Sequence, residues 1–141
     1  WQRESLLKEG RLTHPRFRYA HQFAAADKIV IAAPFWDLSF PALLKVYIEN
    51  LCVDGITFHT DEKGLHGLCK ADHMVYLTAR GGIYTDSPME QGSRYLEQMA
   101  AFFGIQQYDC VAAEGLDIGA WPVSELMEQA KGRAAEVART F

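Results

Sequence analysis

The stretch that decides the fold is Asp27-Lys28-Ile29-Val30-Ile31-Ala32-Ala33, followed without a break by Pro34-Phe35-Trp36-Asp37-Leu38-Ser39. Its first half is a short continuous apolar block between a charged residue and a proline. That is the composition of a strand covered on both faces in a parallel sheet, and it reads as a central strand. The second half sets two aromatic side chains and one aliphatic directly after the strand end. Beyond it, Phe40, Leu43, Leu44, Tyr47, Ile48 and Leu51 recur at helical spacing and line one face. Ser39 is placed to cap that helix, Pro41 falls in its first turn, and Gly55 follows it.

Working outward, the pattern of strand then helix repeats. His73 to Ala79 is a second apolar strand running straight into Arg80-Gly81-Gly82. Ser87-Pro88-Met89-Glu90 has a capping hydroxyl, a proline at the first helical position and a glutamate at the third, which predicts a helix start there. Tyr95, Leu96, Met99, Phe102 and Phe103 form its apolar stripe, and Gly104 ends it. Tyr108 to Ala113 predicts a third strand, and a last helix is expected from about Pro122. Ahead of all this lies a polar helical segment, Gln2 to Glu9. Strands separated by helical stretches imply right-handed β-α-β crossovers, hence an α/β, doubly wound parallel sheet. In such sheets ligands sit beyond the carboxyl ends of the strands, so the two loops Pro34 to Ser39 and Ala79 to Ser87 are the places to look.

Composition narrows the function. The chain has 141 residues, 49% hydrophobic and 23% charged, with a formal net charge of −4. That is an ordinary globular balance and a poor match for a surface that neutralises nucleic-acid phosphates. The apolar run Ile29 to Phe35 is far short of the ~20 residues of a membrane span, and no signal peptide is recognisable, so no membrane partner is expected and the cytoplasm is the expected location. Cys52, Cys69 and Cys110 are widely spaced and read as reduced packing residues. His66, Cys69 and His73 have a superficial metal-ligand spacing, but no second pair completes four ligands, so no metal is expected. No Walker loop, nucleophile elbow, H-E-x-x-H or G-x-G-x-x-G occurs.

For each loop two readings stand. Phe35 and Trp36 form a platform for a flat aromatic ligand, or they roof the core or a dimer contact. Arg80-Gly81-Gly82 offers unobstructed backbone N–H groups to carbonyl oxygens or an anion, with Arg80 adding charge, or it is a plain turn.

The motifs taken together resemble the flavodoxin-like family of FMN-dependent NADH azoreductases and quinone oxidoreductases. The matching residues are Pro34-Phe35-Trp36-Asp37, Leu44-Lys45 with Tyr47, Gly55-Ile56-Thr57-Phe58, Ala79-Arg80-Gly81-Gly82, Gly104-Ile105 and Ala113-Glu114-Gly115, in order from about Ala20 onward. The resemblance implies FMN as cofactor and NAD(P)H as co-substrate, with two electrons passed to a quinone or azo acceptor. Residues implied at the cofactor are Pro34, Phe35, Trp36, Asp37 and Leu38 on one edge, and Ala79, Arg80, Gly81, Gly82 and Tyr84 on the other. Phe58, Thr60 and Phe102 are implied near the substrate, contributed across a homodimer, and no side chain is required as catalytic acid or base. Asp37 stands where the family usually has an amide, and Ala79 where Ser is common. The resemblance also implies a five-stranded sheet, of which three strands are present here; on this reading residues 1–141 are a single flavodoxin-like domain lacking its first strand, phosphate loop and second strand. The alternatives are a flavodoxin-type electron-transfer module or a non-catalytic fragment.

Overall fold

The computed structural model describes residues 1–141. Helix α1, Gln2–Lys8, leads through a short 3-10 turn, Pro15–Phe17, into α2, Arg18–Ala25. Strand β1, Ile29–Ala32, is followed by α3, Ala42–Leu51, and by a hairpin of β2, Phe58–Asp61, and β3, Gly64–Gly67. Then come β4, His73–Ala79, helix α4, Gly92–Phe102, strand β5, Gln107–Ala113, and helix α5, Val123–Arg139.

The sheet is parallel throughout, in the order β1-β4-β5. β4 is therefore its centre, and His73 to Tyr76 are all buried. β1 is an edge of these three strands, as its central place in a five-stranded sheet implies when only three are present, and Val30 is 55% exposed. The reason lies in the register. Ile29 pairs with Met74 and Ile31 with Tyr76, so these four point to one face, where α3 and α4 cover them through Leu51, Ile48, Leu96 and Phe103. On the opposite face α5 packs over β5, and Val30 stays uncovered.

The polar segment at the start does more than its composition suggests. Leu6 of α1 is buried with Phe17, Ala20, Val53 and Ile56 in a satellite core. Cys52 and Cys69 pack against the main core, whereas Cys110 is exposed on β5. The outer edge of β5 is not left bare, because Arg133 of α5 donates to the Ala112 carbonyl at 2.5 Å.

Two helix starts differ from expectation. Ser39 does not cap α3; its backbone closes a tight turn with Trp36, and Pro41 holds the cap position. Ser87 does not open α4 either. Its hydroxyl accepts from Met89 N–H in a local turn, and the helix begins at Gly92, where the Glu90 carboxylate accepts from the N–H groups of Gly92 (2.6 Å) and Ser93 (2.9 Å). A buried partner for Glu90, described below, moves the start by several residues.

Candidate functional site

Both loops singled out from the sequence lie at the carboxyl end of the sheet, side by side. Phe35 N–H donates to Ala79 O (3.4 Å), continuing the β1–β4 ladder past the strand end. The chain then reverses in a two-residue turn: Trp36 and Ser39 exchange backbone hydrogen bonds of 2.9 Å each, with Asp37 at φ 49° and Leu38 at φ 71°. Two successive non-glycine residues in the left-handed region cost of order 1 kcal/mol each, and such strain is held only where surroundings demand it. The surrounding contact here is Gln91 N–H, which donates to Leu38 O at 2.8 Å and ties the turn to the head of α4.

The second loop is built the other way. Arg80 N–H donates to Ala113 O (2.7 Å), and the carbonyls of Arg80, Gly81 and Gly82 accept from Leu116, Asp117 and Gly115. With its carbonyls committed to residues 115–117, the loop leaves the N–H groups of Gly81, Gly82 and Ile83 without an acceptor in the chain, and those of Asp37 and Leu38 in the first loop are equally free. Five unpaired amides thus flank one cleft. Its floor is aromatic: the rings of Phe35 and Tyr84 meet at 4.7 Å with a 41° tilt, and Trp36 stands 60% exposed at the rim. A Cβ on Gly82 would press into the Tyr84 ring, so glycine there keeps that ring in place.

Arg80 departs from the expected role of a cation facing a ligand. It is 2% exposed, with its guanidinium between Glu114 and Glu90 (3.2 Å) and beneath the Phe35 ring, 5.0 Å from its centroid. Glu114 also accepts from Thr85 N–H (3.0 Å) and Thr85 Oγ1 (2.7 Å). The sequence places Glu90 at a helix start and Glu114 in the matching stretch Ala113-Glu114-Gly115, where no role attaches to its side chain.

Pro34, Phe35, Trp36, Asp37, Leu38, Ala79, Gly81, Gly82 and Tyr84 are brought together at this end of the sheet. Phe58, Thr60 and Phe102 are not. Phe58 and Phe102 form a second ring pair (4.8 Å, 50°) where the hairpin meets the far end of α4, and Thr60 lies exposed further out on β2. The eleven residues of α4 place Phe102 roughly 15 Å along the helix axis from the Gly92 end, which abuts the first loop. His66, Cys69 and His73 are also apart: His66 pairs with Asp61, His73 with Asp109, and the Cys69 thiol points to Thr57 O, burial pushing its pKa up to about 12.

Two cavities adjoin these loops. One, of about 880 Å³, runs along the exposed side of β1 between Tyr19 and Tyr47; the other, of about 750 Å³, lies behind Arg80 among Arg94, Glu97, Gln129 and Arg133. No helix is long and apolar enough to cross a membrane.

An open parallel sheet with helices on both faces and loops carrying free backbone N–H groups beyond its carboxyl ends is the architecture of the doubly wound flavoprotein-type folds. A sequence profile described as the flavodoxin-like fold matches residues 13–138, and the chain belongs to that family. It is 45% identical over 131 residues to a protein of Clostridium acetobutylicum named FMN-dependent NADH:quinone oxidoreductase 2, covering 91% of this chain and 66% of that one. It is 40% identical, over 91% of this chain and 65% of the relative, to the FMN-dependent NADH:quinone oxidoreductase of Caldicellulosiruptor saccharolyticus. Among solved structures, azoreductase from Bacillus anthracis superposes with a TM-score of 0.81 at 33% identity, covering 94% of this chain and 65% of that one. A second Bacillus anthracis structure, an FMN-dependent NADH-azoreductase in complex with FMN, does so with a TM-score of 0.81 at 30% identity, over 94% of this chain and 64% of that one. The chain thus spans about two thirds of the length of the curated relatives it matches.

Proposed function

We propose that this chain forms the ring-binding part of an FMN site in an oxidoreductase that moves two electrons from NAD(P)H to a quinone or azo acceptor. The observation that carries the proposal is the set of five unpaired backbone N–H groups, at Asp37, Leu38, Gly81, Gly82 and Ile83, arranged around the Phe35–Tyr84 ring pair. An isoalloxazine is flat and apolar in its middle and rimmed by carbonyl oxygens and ring nitrogens, so it satisfies stacked rings and fixed amide donors together. The names of the relatives support the same cofactor and acceptors.

In this reading FMN supplies the two-electron chemistry, reduced by NAD(P)H and reoxidised by the acceptor. The chain's own residues orient and shield. Phe35, Tyr84 and Trp36 provide the apolar seat, with Pro34 and Ala79 as the walls from which the loops diverge. The amides of Gly81, Gly82 and Ile83 hold one polar rim and those of Asp37 and Leu38 the other. Fixed N–H dipoles at a rim that gains negative charge on reduction favour the reduced state without rearrangement. Asp37 brings a carboxylate to that rim, which opposes the same charge.

Phe58, Thr60 and Phe102 lie at the other end of the sheet, so their proposed substrate-side role belongs to the cleft of a second copy, in a homodimer. FMN titration of the full protein, followed by flavin fluorescence and absorbance, tests the proposal. Saturable quenching, bleaching on NADH addition and recovery on adding a quinone are expected; a protein that leaves the flavin spectrum unchanged up to millimolar FMN overturns it.

A further inference from the structure

We propose that Arg80 is the positioning residue of this cleft: it sets the spacing of the two loops through Phe35, Glu90 and Glu114 and presents no charge to the ligand. The inference rests on the flavin-site reading above and concerns how that site is held.

Both terminal nitrogens of the guanidinium are held from within the chain. One terminal nitrogen is taken by Glu114 and the other by Glu90, and the Phe35 ring lies over its face. Its remaining Nε is buried without an acceptor. The side chains of Arg80, Glu90 and Glu114 are 2%, 10% and 14% exposed, so this is an enclosed ion triad with one cation to two carboxylates. Such a triad is costly to desolvate and is a poor device for stability alone. A planar fork matched to two carboxylates is instead suited to fixing geometry.

Each partner controls a different piece of the cleft. Glu114 accepts from Thr85 N–H and Oγ1, closing the loop that carries Gly81, Gly82 and Ile83 back onto the end of β5. Glu90 accepts from Gly92 and Ser93 N–H and so fixes the head of α4. From there Gln91 N–H holds Leu38 O, the turn that carries the other two amides. Phe35, resting on the guanidinium, is the floor itself. One buried cation therefore joins both rims and the floor, and the distance between the two amide sets depends on its shape as well as its charge.

This predicts a sign that a ligand-facing arginine does not. In Glu114→Gln the arginine loses a competing carboxylate; were Arg80 a direct ligand of the flavin, FMN would bind more tightly. As a positioning residue, its loosened fork makes FMN bind more weakly. The test uses Arg80→Lys and Glu114→Gln in the full protein, with FMN dissociation constants from fluorescence quenching, visible circular dichroism at saturating FMN, and near-UV circular dichroism without FMN. Expected are about tenfold weaker binding in Arg80→Lys and about fivefold weaker in Glu114→Gln. An altered visible band is expected in both, with loss of the near-UV signal of the Phe35–Tyr84 pair at unchanged far-UV signal.

Tighter or unchanged FMN binding in Glu114→Gln overturns the proposal. So does an unaltered visible band in both variants alongside a lowered melting temperature, which is the result of a purely stabilising role. If the unsubstituted protein binds no FMN, the flavin reading fails, and the near-UV signal still decides whether Arg80 sets the loops. If Arg80→Lys does not fold, Glu114→Gln decides alone.

Discussion

Two aromatic pairs of nearly the same geometry stand at opposite ends of one sheet. Phe35 and Tyr84 meet at 4.7 Å and 41°, Phe58 and Phe102 at 4.8 Å and 50°. What surrounds them differs. The first pair lies over a buried arginine and between amides that have no partner. The second lies where two backbones touch: Gly67 of β3 packs directly on Gly104 and Phe103, and Cys69 N–H donates to Phe103 O at 3.1 Å. Stacked rings are equally at home in a binding cleft and in a structural joint. What distinguishes the first is a set of backbone N–H groups that have no acceptor in the chain and stay open to the carbonyl oxygens of a ligand.

The comparison breaks most visibly at the joint. Gly67→Val places a side chain where Gly104 N and the Phe103 carbonyl carbon already stand, and neither is a flexible side-chain end. A loss of about 3 kcal/mol or more is expected in urea denaturation. A loss under 1 kcal/mol would show that the hairpin does not depend on that contact.

Substituting one ring of each pair separates the ends by function. Phe35→Leu is expected to weaken FMN binding about tenfold, since it removes the floor and uncovers Arg80. Phe58→Leu should cost about 1 kcal/mol of stability and leave FMN affinity within about twofold, its effect falling on the Michaelis constant for the acceptor. Equal effects on FMN affinity would erase the distinction.

Smaller shifts sharpen it. Asp37→Asn puts at φ 49° a residue more at ease in the left-handed region, and a gain of about 0.3 kcal/mol is expected in thermal unfolding. At the hairpin, Asp61 accepts a hydrogen bond from His66 (2.9 Å) and another from Lys63 N–H (2.8 Å), and these hold its carboxyl below the ordinary range. A depressed folded-state pKa makes its contribution complete above the unfolded value of about 4 and lost as pH falls through the lower folded value. The protection factors of the β2–β3 amides in hydrogen exchange should therefore fall below about pH 4 more than those of the β4–β5 amides.

Much of this was legible in the chain. The apolar blocks at Ile29 to Ala32, His73 to Ala79 and Tyr108 to Ala113 are strands, and the helical stripes lie where the periodicity put them, because each element buries a face its own sequence defines. Both cleft loops follow from strand ends and glycines. The parts that were not legible are set by tertiary partners. The start of α4 follows Glu90, and Glu90 follows a buried arginine ten residues away. The opposite placement of Phe102 follows from the crossover itself, since a helix joining two parallel strands runs back along them, whereas the position of Phe58 on the hairpin beside that helix end is set by packing.

The most direct measurement is a ¹⁵N–¹H correlation spectrum of the protein titrated with FMN. The amides of Asp37, Leu38, Gly81, Gly82 and Ile83 are expected to shift together along one saturable curve, those of the Gly81 loop by the largest amounts. Saturable binding that leaves these five resonances in place would contradict the assignment of the cleft as the flavin site.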